Sequence, residues 1–172
     1  LERRKLDELK FHDAYRKRDI DNSPNDDQAA SDTFEVLTGN LKYYKTTKRS
    51  EQFIENWFKA NLKGKVFLDF ACGDGAYAIS ASLKHHAKFS IGFDLSAESV
   101  ENAEADALKA GVSGKTIFIQ TDAEDTGLPA ESFDVILCSG MLHHLDLNNA
   151  FPELERLLAP GGTIFCVEAL DY

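Results

Sequence analysis

The chain has 172 residues, 29 acidic against 19 basic, for a formal net charge of −10. That length suits one domain around a single buried core. With 43% hydrophobic residues, 28% charged and 4 prolines, the composition is that of a folded globule and not of a disordered, collagenous or disulfide-built chain. An acidic surface repels phosphate backbones and anionic headgroups, so nucleic acid and membrane surfaces are not expected as partners. No apolar run nears the ~20 residues of a bilayer span, and the opening LERRKLDELK lacks a signal peptide's apolar core, so a cytoplasmic setting is expected. The first residue is Leu1 and the single methionine is Met141, which reads as a processed, trimmed or fragmentary product.

Residues 1–62 are rich in charge and aromatics and read as a helical N-terminal extension or lid, ahead of a second unit over 63–172. Leu6, Leu9, Ala14 and Tyr15 allow only a weakly amphipathic opening helix, and residues 19–32, DIDNSPNDDQAASD, read as a loop. An aromatic patch from Phe34 to Tyr44 leads into a helix with the stripe Phe53, Ile54, Trp57, Phe58 and Leu62, which Gly64 can end. From Lys65 the period changes. KVFLDF, FSIGFD, TIFIQTD, FDVILCS and GTIFCVE read as five strands, and their unbroken hydrophobicity predicts cover on both faces, as in a parallel sheet. Ser96 can N-cap SAESVENAEADALKAG, turning Val100, Ala103 and Ala107 to one side and stopping at Gly111. A last stripe, Leu147, Ala150, Phe151, Leu154, Leu157 and Leu158, follows a helical period, with Pro152 expected to kink or restart the helix. Strand, helix, strand repeated in this way predicts an α/β fold: a doubly wound, mostly parallel sheet with helices on both faces.

Cys72, Cys138 and Cys166 stand 66 and 28 residues apart, without the close pairs that metal sites or redox dithiols use, so no metal site is expected. Cys138 and Cys166, inside apolar runs, read as buried thiols. His85 and His86, at the polar end of the first crossover helix, read as solvated.

Ligands of an open parallel sheet sit beyond the carboxyl ends of its strands, near the topological switch point. Strand one ends in DFACGDGAYA, where Gly73, Gly75 and Ala78 fit G-x-G-x-x-A, and Asp94 follows 19 residues after Gly75 at the end of strand two. This is the pattern of a nucleotide-binding turn with a carboxylate for two ribose hydroxyls, the alternative being a purely structural glycine turn. A dinucleotide would bring a pyrophosphate to the turn. Asp69 and Asp74 lie there, and carboxylates a few ångströms from an oligoanion cost about 1 kcal/mol or more per pair. An adenosine ligand with cationic groups fits better. S-adenosylmethionine has a sulfonium, an ammonium and a ribose, and no phosphate.

VFLDFACGDG resembles motif I of the class I S-adenosylmethionine-dependent methyltransferases, with Ala71 where that family usually has glycine. GFDLS is similar to the second motif, TDAEDTGLPAESFDVILCSGMLHHL to the next two, and LLAPGGTIFCVE to the approach to strand five. The resemblance spans about residues 64 to 169 and is to the small-molecule, methyltransferase-11-like type. It implies a Rossmann-like domain that binds S-adenosylmethionine, releases S-adenosylhomocysteine and methylates an O, N or C atom of a small molecule. Carried over residue by residue, Asp69 would orient the cofactor's amino group through the loop and a water. Ala71, Cys72, Gly73 and Gly75 would form the turn around the methionine moiety. Asp94 would accept from the ribose hydroxyls and Leu95 would pack on the adenine. Asp122 and the Ala123 backbone would meet the adenine amino edge, although Asp122 could equally be an Asx-turn residue. Ser139, Gly140 and Met141 would line the floor under the sulfonium.

Methyl transfer is an in-line displacement in which positioning supplies much of the rate. A hydroxyl or acidic-carbon acceptor must also lose a proton, and His143 or His144, after strand four, could serve as base. The turn CSGM differs from the Asn/Asp-Pro-Pro-aromatic turn of amino-group methylases, which together with the charge favours a small acceptor. Phe11, His12, Tyr15, Tyr43 and Tyr44 could cover cofactor or acceptor, or simply pack in the core. A nicotinamide-linked oxidoreductase and a catalytically silent nucleoside-binding domain remain as alternatives. The family normally continues past strand five with strands six and seven, absent from this chain. Strand five is thus expected to be an exposed, β-prone edge that further strands or a second copy of the chain would cover.

Overall fold

The computed structural model describes residues 2–16 and 41–168, the side chains of 14, 15 and 41–50 excepted. The loop expected at 19–32, the start of the aromatic patch, and the side chains of Tyr15, Tyr43 and Tyr44 lie outside the described residues. The elements are α1 (Arg3–Arg16), α2 (Leu41–Asn61), β1 (Val66–Phe70), α3 (Ala76–Leu83), β2 (Phe89–Asp94), α4 (Ala97–Lys109), β3 (Thr116–Gln120), β4 (Phe133–Ser139), a 3-10 turn (Leu142–His144), α5 (Leu147–Leu157) and β5 (Leu158–Val167).

All four strand pairings are parallel, in the order β3-β2-β1-β4-β5. The chain leaves β1 toward β2 and returns across it to β4, so the switch point lies between β1 and β4, and every strand ends at the same edge. Side chains alternate across the pleat. Phe67, Val135 and Leu137 face a core closed by Ile54, Phe58 and Leu62 after and along α2, Ala78 and Ala81 of α3, and Val100, Ala103 and Ala107 of α4. Leu68, Phe70, Ile136 and Cys138 face the other side, closed by Leu154 and Leu157 of α5. Trp57 stacks flat on Phe165 at 4.5 Å, tying α2 to β5.

Several local expectations hold. The Ser96 hydroxyl accepts from the Ser99 amide and starts α4, and Gly111, at φ +72°, follows its end. Others need correction. Both-face cover applies to the central strands, whereas the outer ones are open: Ile117 is 46% and Ile164 36% exposed. No strand pairs with the outer side of β5 among the described residues. Cys138 is buried but Cys166, its register partner on that outer strand, is exposed. α5 runs unbroken through Pro152. His85 is buried, with its ring edge on Phe58 and Nε2 3.1 Å from Glu55, because α3 ends against α2; only His86 is solvated.

Candidate active site

The turn after β1 runs left-handed three times, at Ala71 (φ 57°), Gly73 (φ 53°) and Gly75 (φ 72°). Ala71 holds without glycine a conformation that glycine adopts freely. Gly75 is needed on a second count, since a Cβ there would lie 2.3 Å from the Phe118 ring. At Gly73 a Cβ would lie 2.7 Å from an Arg16 nitrogen. Two carboxylates brace the turn. Asp94 accepts from the Gly73 amide (2.8 Å) through one oxygen and from the Ser96 amide (3.0 Å) through the other, bracketing the turn against the start of α4. Asp69 is buried and accepts from the Ala78 amide (3.1 Å) at the N-terminus of α3. Burial pushes its carboxyl up to about 8, against the Ala78 hydrogen bond and with help from the Asp94 charge. The turn therefore carries less negative charge at neutral pH than its sequence suggests. Burial likewise raises the Cys72 thiol, so it is not a thiolate.

Beyond β3, Asp122 makes the Asx bond, accepting from the Glu124 amide (2.9 Å), and its other oxygen is 2.6 Å from Lys5. Lys5 also reaches Glu124 (2.8 Å), which takes bonds from Arg4, Asn149 and the Asp146 amide as well. Burial raises the Glu124 carboxyl, but the Lys5, Asp146 and Arg4 donors outweigh it and hold the group at about 2.

After β4, Met141 is buried. Glu168, just past β5, accepts from the Met141 (2.9 Å) and Leu142 (3.0 Å) amides at the start of the 3-10 turn. Its second oxygen is 3.1 Å from His143 Nδ1. His144 instead meets α1, with Nδ1 3.2 Å from Glu8.

These strand ends and α1 enclose a cavity of about 360 Å³. Asp69, Ala71, Cys72, Gly73, Asp94, Leu95, Asp122, Ala123, Ser139, Gly140, Met141 and His144 all line it; Gly75 and His143 do not. Gly75 packs behind the turn, and His143 is 55% exposed beside Glu168. Of the aromatic lid candidates described, His12 lines the cavity, whereas Phe11 is 63% exposed. Sequence reasoning missed Arg4, Lys5, Glu8, Arg16 and Tyr77, which also line it. The signal was present: Lys5, Glu8, His12 and Arg16 recur at helical spacing, a polar stripe on a helix searched only for an apolar one. Arg16 pairs with Asp74 at 2.6 Å.

A switch-point cavity under a glycine turn, with an acid at the end of β2, defines a Rossmann-like cofactor-binding domain of the class I methyltransferase fold. The chain belongs to the methyltransferase domain family, whose pattern is matched by residues 68–166. It is 37% identical over 108 residues to a ubiquinone biosynthesis O-methyltransferase of Paraburkholderia xenovorans (strain LB400), covering 62% of this chain and 45% of that protein. It is 33% identical over 102 residues to the 27-O-demethylrifamycin SV methyltransferase of Amycolatopsis mediterranei (strain S699), covering 59% and 37%. A SAM-dependent methyltransferase from Thiobacillus denitrificans, solved in complex with S-adenosyl-L-homocysteine, superposes with a TM-score of 0.55 at 29% identity, covering 63% of this chain and 44% of that one. The chain thus spans less than half the length of these proteins. No described helix is long and apolar enough to cross a membrane.

Proposed function

We propose that this chain is the cofactor-binding core of an S-adenosylmethionine-dependent methyltransferase that acts on a small-molecule acceptor, with a hydroxyl oxygen the favoured atom. One observation carries the choice of ligand. A pyrophosphate would draw on free amides at the N-terminus of α3, yet the Ala78 amide there is already donated to Asp69, and Asp74 sits in the turn. The site suits an adenosyl group with cationic substituents better than a dinucleotide, which weighs against the nicotinamide alternative. The named relatives, both O-methyltransferases, support the acceptor class.

The methyl donor supplies a sulfonium-activated carbon, so the protein's task is to bind and align. Asp94 takes the ribose hydroxyls with the acceptor capacity its two backbone bonds leave over, and Leu95 covers the adenine. Asp122 and the Ala123 backbone receive the adenine amino edge. Ser139, Gly140 and Met141 form the floor, and Arg16, beside Gly73, offers a cation to the methionine carboxylate. Of the two histidines after β4, His144 is the one that faces the cavity and takes the acceptor proton, while Glu168 holds His143 aside. Residues 1–62 are then a helical N-terminal extension or lid ahead of the domain over 63–172, with α1 lining the ligand cavity.

Calorimetric titration with S-adenosylhomocysteine and with NAD tests the reading. Binding of the first alone is expected, and equal heats would overturn it. A methyl-transfer assay on a panel of hydroxylated acceptors separates an enzyme from a silent nucleoside-binding domain.

A further inference from the structure

We infer that Glu8, His12 and His144 form a divalent transition-metal site that pins α1 to the turn after β4, with an open coordination position on the cavity side. Cysteine spacing gave no hint of it, because this donor set is two imidazoles and a carboxylate. Glu8 and His12 stand one helical turn apart on α1, so their side chains project together. His144 comes from the 3-10 turn 132 residues beyond His12 in the chain. Its Nδ1 lies 3.2 Å from one Glu8 oxygen, and His12 Nε2 lies 3.6 Å from the other. The three donor atoms all fall within 4.8 Å of one another. Ligands about 2.0–2.1 Å from a tetrahedral zinc lie roughly 3.3–3.4 Å apart. The 3.2 Å between His144 and one Glu8 oxygen is close to that spacing; the 3.6 Å from His12 runs to the other Glu8 oxygen, so small rotations of the partly exposed rings and carboxylate are needed to bring one donor from each residue onto an ion.

The surroundings are compatible with a cation. The His12 and His144 rings are in contact, edge to face with centroids 5.8 Å apart. The nearby cations Arg4 and Lys5 are neutralised by Glu124 and Asp122. All three donors line the cavity, so the fourth position faces the space in which an acceptor would lie. Three protein ligands with one open position is the arrangement of reactive metal sites, whereas structural ones are closed. Such an ion takes water or an anionic oxygen ligand. An acceptor oxygen bound there would lose its proton to solvent more readily than in bulk water, replacing the His144 ring as the means of proton removal. The ion site itself rests on geometry alone; the role of its open position rests on the methyl-transfer reading, and with the ion bound His144 is a ligand and not the base.

The test is titration of the chelator-treated chain with Zn²⁺ by calorimetry and with Co²⁺ by visible absorption, alongside tryptic digestion of α1, which carries several Arg and Lys. One ion per chain is expected, with Zn²⁺ slowing cleavage within α1. His12→Ala, His144→Ala and Glu8→Gln should each weaken binding about tenfold or more, since even outer-shell losses cost about 10–100-fold, and each should abolish the protection. His86→Asn, at an exposed histidine far from the cavity, should change neither. Unchanged thermal unfolding of the variants in chelator excludes misfolding as the cause. Absence of saturable binding, or equal affinity in the chain and in His12→Ala and His144→Ala, would overturn the proposal.

Discussion

Replacing Asp94 with alanine probes both its bracing of the turn and the ribose role proposed for it. Its carboxylate holds the Gly73 amide at 2.8 Å and the Ser96 amide at 3.0 Å while lining the cavity. A hydrogen bond to a charged group contributes about 1.5–3 kcal/mol. Because Asp94 is half-buried, water replaces part of that, and Asp94→Ala is expected to cost about 2–4 kcal/mol, or roughly 5–15 °C in Tm for a domain of this size. Domains are stable by about 5–15 kcal/mol, so the fold survives. Loss of the ribose contacts should weaken S-adenosylhomocysteine about tenfold or more beyond that, read by calorimetry at a temperature where the variant is fully folded. Asp94→Asn retains one acceptor oxygen, so it should recover part of the Tm while binding stays weak. A Tm that does not move would refute the bracketing role, and an unchanged Kd would refute the ribose role, each independently of the other.

Gly75→Ala forces a Cβ 2.3 Å from Phe118 and 2.9 Å from Ala103 at φ +72°, and urea denaturation should show a loss of about 3 kcal/mol or more. Gly111→Ala shares that φ in open space and should cost about 1 kcal/mol; equal losses would show that the close approach does not matter. For Asp69, the folded-state carboxyl sits near 8 against an ordinary 3.8, so its contribution to stability is present below pH 4 and is lost as pH rises through about 8. Asp69→Asn cannot ionise but still accepts from Ala78, so stability should fall less between pH 4 and 8 than in the parent; an identical pH profile would be inconsistent with a protonated Asp69.

The five strands and the Ser96 cap were legible because each rests on local chemistry: an apolar β-rich run, or a hydroxyl before a helix. The strand-end carboxylates were legible as well, since parallel topology brings every strand end to one edge. Features set by partners distant in the chain were not. Nothing local to His85 marks it as buried; the Phe58 ring and Glu55 of α2 make it so. Cys166 reads as apolar core and is exposed because β5 is an outer strand. Glu168 looks like a surface acid until the β4 turn places two amides and His143 around it. The two glycines of the turn read alike, yet Gly73 adjoins the cavity and Arg16, while Gly75 makes room for a ring from β3.

The seating of α1 follows a different logic from that of the core. α1 leaves Leu6 39% and Phe11 63% exposed, so apolar burial is not what seats it. Its contacts are charged: Arg16 to Asp74, Lys5 to Asp122 and Glu124, Arg4 to Glu124 and the His144 carbonyl, and Asp13 to the Ser96 hydroxyl. Asp74 and Asp122 line the cavity, so a ligand carrying donors or positive charge draws on the same oxygens that hold α1. Glu124 does not line it, and its low pKa reflects acceptor capacity spent on Lys5, the Asp146 amide, Arg4 and Asn149. The contacts therefore divide in two. The ion pairs to Asp74 and Asp122 can be exchanged for a ligand, whereas those to Glu124, the Ser96 hydroxyl's bond to Asp13 and the Asn102 side-chain amide's bond to the Arg16 carbonyl lie outside the cavity lining and keep α1 seated. Ion pairs suit that division, because a partner lost to one carboxylate is replaced by water or by ligand at small cost, whereas an apolar seat would have to be opened whole.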